Sequence, residues 1–145
     1  MVLEAVLNGA RGITYYCFQD FDTPEDFYYH AKALVKLAPY QKLLKEGAPH
    51  SIQGSNPGLF YSAFQNQGKM LLLVGNYQGQ ANGVTTVALP FEEVQSVKDV
   101  STGKEMPPGI SLSLDVKSRE FVLLEINGKP SEALPAGEQP SHASK

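Results

Sequence analysis

The chain has 145 residues, enough for one domain of ordinary size or a small domain with an appendage. Its formal charge of −3, with charged residues at 19% and both signs interspersed, excludes a nucleic-acid surface and a polybasic membrane patch as partners. A single cysteine, Cys17, excludes an internal disulfide and any multi-cysteine metal site; it is compatible with the cytoplasm but does not fix a compartment.

Val2, Leu3, Val6 and Leu7 recur at helical spacing, and Asn8-Gly9 is a suitable stop because glycine tolerates the left-handed conformation at a helix end. The next segment, Ile13 to Phe18, is β-branched and aromatic on both faces, the pattern of a strand covered on both sides as in parallel sheets. Such a strand needs parallel partners, and helix rather than strand follows it. Thr23 as N-cap, Pro24 at the first helical position and the acids Glu25 and Asp26 predict a helix with the apolar face Phe27, Ala31, Leu34, Val35 and Ala38. Pro39 interrupts it, so Tyr40 to Lys45 forms a separate short helix closed by Gly47 and docked by Leu43 and Leu44.

At Ala48 the pattern changes. Pro49, Gly54, Pro57 and Gly58 replace helical periodicity, which sets a domain boundary between residues 1–47 and 48–127. Leu59 to Gln65 alternates, the turn Asn66-Gln67-Gly68 follows, and the apolar run Met70 to Val74 predicts a central strand paired to it as a hairpin. That run is far short of the roughly 20 apolar residues that span a bilayer. The N-terminus shows no basic and apolar regions of a secretory signal, although a signal would have been lost with any missing upstream sequence.

Val84 to Leu89 and Val94 to Val100 are two further strands, separated at Pro90, with the turn Ser101-Thr102-Gly103-Lys104 after the second. Ile110, Leu112, Leu114 and Val116 alternate with Ser111, Ser113, Asp115 and Lys117, so one face is wet. Phe121 to Ile126, after the polar turn Lys117 to Glu120, completes a second hairpin. The expected fold is mainly β with an N-terminal α/β piece, its β part an antiparallel sandwich of about six or more strands. Residues 128–145, with Pro130, Pro135 and Pro140 and no apolar periodicity, read as a disordered tail.

The order helix, Gly9-Ala10-Arg11-Gly12-Ile13-Thr14-Tyr15-Tyr16, acidic loop, helix, Pro39-Tyr40-Gln41-Lys42-Leu43-Leu44 and small all-β domain resembles the C-terminal end of (β/α)₈-barrel glycoside hydrolases. The segment Val97 to Glu105, followed by Ile110 to Val116 and Phe121 to Ile126, is similar to the close of the β-sandwich in amylase-like enzymes. The resemblance covers Met1 to Ile126 and is one of order and texture, with no catalytic signature. It implies that residues 1–47 are the terminal helix-strand-helix remnant of a TIM barrel and that the rest of the barrel is the partner of this chain. It implies too that the catalytic carboxylates sit on earlier strands, so that the isolated chain is inactive.

Glycoside hydrolysis needs two carboxyl groups roughly 5 to 9.5 Å apart. Asp20 and Asp22 are the only close acids beside the barrel-like strand, and the loop after such a strand lies on the face that builds active sites. In the complete enzyme Tyr16, Phe18, Asp20 and Asp22 are the candidate substrate contacts, with no catalytic residue assigned. The competing and stronger reading has Asp22 helping to cap the helix near Thr23, with Asp20 solvated and the aromatics filling the barrel.

Cys17 lies among apolar neighbours and pairs poorly with His30 as a nucleophile. His30, His50 and His142 have no metal-ligand spacing, so no metal site is expected. Gly75, Gly79 and Gly83 do not precede a helix, so no phosphate-cradling loop or cofactor is expected. Tyr61, Phe64 and Tyr77 offer an alternative, a non-catalytic module binding an oligo- or polysaccharide or a protein; core packing accounts for them better. With barrel partners absent, the helix face of Phe27, Leu34 and Val35 and the strand residues Ile13 and Tyr15 should be partly exposed, a patch that favours association.

Overall fold

The structure is a computed structural model that describes residues 2–10 and 24–131. The expected strand Ile13 to Phe18 and the candidate contacts Tyr16, Phe18, Asp20 and Asp22 lie outside the described residues, as do residues 132–145. Helix α1 spans Val2–Leu7, α2 spans Pro24–Leu37, a 3-10 turn covers Ala38–Tyr40, and α3 spans Gln41–Glu46. Eight strands follow among the described residues: β1 Ala48–His50, β2 Phe60–Asn66, β3 Lys69–Gly75, β4 Val84–Ala88, β5 Phe91–Asp99, β6 Glu105–Met106, β7 Ser111–Asp115 and β8 Phe121–Pro130.

The helices stop where backbone chemistry requires it. Gly9 takes a φ of 93°, the left-handed conformation that relieves a helix end, and its N–H donates to Val6 O at 3.0 Å. Helix α2 begins at Pro24, and Pro39 tightens the chain into the 3-10 turn that leads into α3.

The strands form an antiparallel sheet of six in the order β1-β2-β3-β8-β5-β6 and an antiparallel pair, β4-β7. Strand β3 is buried along both faces, and alternation divides it between two cores. Met70, Leu72 and Val74 join Ala63, Leu124 and Ile126 in a core shared with Val87, Leu112 and Leu114 of the two-stranded sheet. Leu71 and Leu73 point the other way and join Phe64 and Leu123 under Leu3, Leu7, Leu37, Tyr40 and Leu43 of the helical segments. The six-stranded sheet is therefore a middle layer, covered by helices on one face and by β4-β7 on the other.

Several expectations are corrected by this arrangement. The segments Ile110 to Val116 and Phe121 to Ile126 do not form a hairpin: β7 pairs with β4, whereas β8 lies between β3 and β5. The reason is burial. Strand β7 is apolar on one face and suits an outer sheet, while β8 carries adjacent buried Leu123 and Leu124 and needs cover on both faces. Strand β8 also runs through Gly128 to Pro130, with Gly128 paired to Val94, so residues 128–130 belong to the sheet rather than to a tail.

The edge strands β1 and β6 were not foreseen. Both are short and carry or precede proline, at Pro49 and at Pro107 and Pro108, which blunts an exposed edge. Helix α2 is rotated from the expected face: Leu37 is buried at 4% exposure and Ala33 packs against the core shared by the helices and the sheet, whereas Leu34 and Val35 stand 42% and 70% exposed. Leu34 and Val35 are thus exposed, whereas Ile13 and Tyr15, expected to be exposed with them, lie outside the described residues, as does the side chain of Phe27.

Candidate functional site

Strand β8 places a carboxylate, Glu125, in an otherwise apolar run, on the same face as the buried Leu123 and beneath the helical layer. A charge so placed needs partners. Register supplies the first: Leu71 faces Glu125 and Lys69 faces Asn127, so Lys69 is the diagonal neighbour of Glu125, and its Nζ lies 2.7 Å from Oε1. The second comes from the turn before α3, where the Tyr40 hydroxyl donates to Oε2 at 2.7 Å. Lys69 Nζ also stands 5.4 Å from the Tyr40 ring centroid, within cation–π range.

Burial pushes the Glu125 carboxyl upward, but the hydrogen bonds from Lys69 and Tyr40, the Lys69 charge and a weaker bond from Asn127 outweigh it and hold the group below its ordinary value. Tyr40 moves the other way. Burial, then the bond to Glu125 and its negative charge, raise the phenol well above its ordinary range, so it stays a donor.

Beside this cluster an open cleft of about 480 Å³ lies between the helical segment and the β2–β3 turn. Pro39, Tyr40, Lys42 and Leu43 line one side, Asn66, Gln67, Gly68 and Lys69 the turn side, and Gln95, Asn127 and Gly128 the sheet side. The turn is held firmly: Asn66 pairs with Lys69, Gly128 N–H donates to Gly68 O at 2.9 Å, and Gln67 adopts a φ of 50°.

A second surface lies at the opposite end of β2 and β3. Phe60 faces Gly75, and Gly75 faces Phe121, so these residues share one side of the sheet. The Tyr77 ring folds over Gly75, where an added Cβ would come within 2.5 Å of it, and lies 5.8 Å from the Phe60 ring at 42°. Tyr77 and Phe121 remain 44% and 39% exposed. Burial, and secondarily the negative charge of Glu4 on α1, raise the Tyr77 phenol above its ordinary value.

The proposed aromatic set Tyr61, Phe64 and Tyr77 does not form one surface. Tyr61 packs against the core between the sheets, its hydroxyl donating to Asn56 O at 2.8 Å and lying 2.7 Å from Thr85 Oγ1, and Phe64 is buried beneath the helices. Tyr77 is the most exposed of the set and stands beside Phe60 and Phe121, whereas Tyr61 is only half-buried at the edge of the inter-sheet core. Among the described residues no group of three His, Cys, Asp or Glu side chains is placed to hold a metal, and no helix is long and apolar enough to cross a membrane.

Tyr40, Lys69, Glu125 and Asn127 were missed as a group, because they come from three segments far apart in the chain. The available signal was Glu125 itself, a lone acid in the apolar strand Phe121 to Ile126. Compared with known proteins, the chain matches no protein-family model and no curated protein.

Proposed function

We propose that this chain is the C-terminal part of a glycoside-hydrolase-like, carbohydrate-active enzyme, in which the β domain holds the last helices of a barrel in place. In this reading the two sheets are the leaves of a β-sandwich, the helical segments are the barrel's remnant, and the remainder of the barrel is the partner. The complete catalytic centre lies elsewhere in the enzyme, with Tyr16, Phe18, Asp20 and Asp22 as this chain's contribution to substrate contact.

The observation that carries the proposal is the continuous apolar layer between helices and sheet, where Leu3, Leu7, Leu37, Tyr40 and Leu43 meet Phe64, Leu71, Leu73 and Leu123. Helices as short as α1 and α3 are marginal alone and draw their stability from such packing. The exposed Leu34 and Val35 on α2 give the helical layer a further apolar surface on which the rest of a barrel can pack.

Chromogenic aryl glycosides incubated with the isolated chain test the assignment. The expected result is no turnover, while the same substrates should be cleaved when the chain is joined to its upstream barrel. Turnover by the isolated chain would contradict it, as would an upstream coding region without barrel-like strands and acids. The second reading, a non-catalytic binding module, is favoured by the cleft beside Tyr40.

A further inference from the structure

We infer that the cleft between Tyr40 and the β2–β3 turn is a binding subsite for an uncharged oligosaccharide. At about 480 Å³ it falls within the range of small-ligand sites, roughly 300–1,000 Å³. Its polar groups come from segments distant in sequence, the β2–β3 turn, β5, β8 and α3, so the assembled fold alone brings them together.

Four carboxamides, those of Asn66, Gln67, Gln95 and Asn127, stand in that lining. Asn66, Gln67 and Gln95 make no side-chain hydrogen bond among the described residues, and Asn127 uses its Nδ2 toward Ser96 Oγ at 3.0 Å, leaving Oδ1 as an acceptor. A carboxamide both donates and accepts, and so does each hydroxyl of a sugar ring; one amide can bridge two adjacent hydroxyls. Lys42 adds donors on the opposite side.

Charge and shape separate this ligand from others. The Lys69 ammonium is already met by Glu125, so the cleft offers an anion little beyond Lys42. Apolar and polar surface share the lining about evenly, which suits the mixed faces of a sugar ring better than a wholly hydrophobic ligand. The floor is preorganised, since Tyr40 and Lys69 are both fixed on Glu125, and a ligand would not have to order it. The choice of a saccharide among hydroxyl-rich ligands rests on the carbohydrate-active reading above.

Native affinity electrophoresis of the full chain in gels containing soluble starch, galactomannan, arabinoxylan or mixed-linkage β-glucan tests the site. Retardation is expected with at least one of these polymers, and it should persist at raised salt. Gln95→Ala and Asn66→Ala should each weaken it roughly three- to tenfold, the scale of one lost neutral hydrogen bond, with circular dichroism unchanged. Absence of retardation on all four polymers would overturn the inference, as would retardation that salt abolishes or that depends on Tyr77 instead of Gln95 and Asn66. Such failures would leave the stabilising role standing, because that role is judged by turnover of aryl glycosides.

Discussion

Tyr40 and Glu125, 85 residues apart in sequence, are joined by a 2.7 Å hydrogen bond that fastens the turn before α3 to the central strand β8. The bond has a neutral donor and an ionised acceptor in a partly buried setting, the type that contributes about 1.5–3 kcal/mol. Tyr40→Phe removes the hydroxyl and keeps the ring, so it should lower stability by about that amount with the secondary structure intact. Urea denaturation of the two proteins checks this; equal midpoints would mean that the bond contributes nothing.

The same carboxylate gives stability a pH dependence. Glu125 is held below its ordinary value of 4.5, so its contribution is complete above that value and is lost as pH falls through its folded-state pKa. His50 is also depressed from 6.5, by burial, so its contribution is complete above 6.5 and declines as pH falls below it. Thermal melts between neutral and acid pH should show two successive declines, with Glu125→Gln removing the lower one and His50→Gln the upper.

Asn76 ties the loop after β3 to the segment after β7. It is fully buried, its Nδ2 donates to Val116 O at 3.0 Å and Gln80 O at 2.9 Å, and its Oδ1 accepts from Gln80 N at 2.8 Å. Asn76→Ala strands these groups, at about 1–3 kcal/mol for each one that water does not reach. Chemical denaturation should show a loss of at least about 2 kcal/mol on that scale.

Ser62 presents the opposite case. Its hydroxyl is buried on the helical side of β2 without a hydrogen-bond partner among the described residues. Ser62→Ala removes an undercompensated polar group and should leave stability unchanged or raise it by up to about 1 kcal/mol. A clear loss of stability in the same denaturation assay would show that the hydroxyl is satisfied in solution.

What was legible in the sequence follows local pattern. The uninterrupted run Met70 to Val74 marks a strand covered on both faces, and it is central; the alternation from Ile110 to Val116 marks one wet face, and β7 has one. Pairing was harder to read, because short polar turns favour hairpins while the order β3-β8-β5 is decided by which strand must be buried twice. Strand β1 hid behind Pro49, a residue that belongs at an edge and looks like loop. The Tyr40–Glu125–Lys69 cluster had no local signature, since its members meet only through register and helix docking.

The central claim, that the six-stranded sheet holds the helical layer in place, is tested most directly by amide hydrogen exchange at Leu7, Leu43 and Leu73. Leu73 is fully buried beneath the helices, and its truncation should cost about 2–5 kcal/mol. The account predicts that Leu73→Ala accelerates exchange at Leu7 and Leu43 together with Leu73, as parts of one cooperative unit. Unchanged protection at Leu7 and Leu43 while β3 loosens would contradict it.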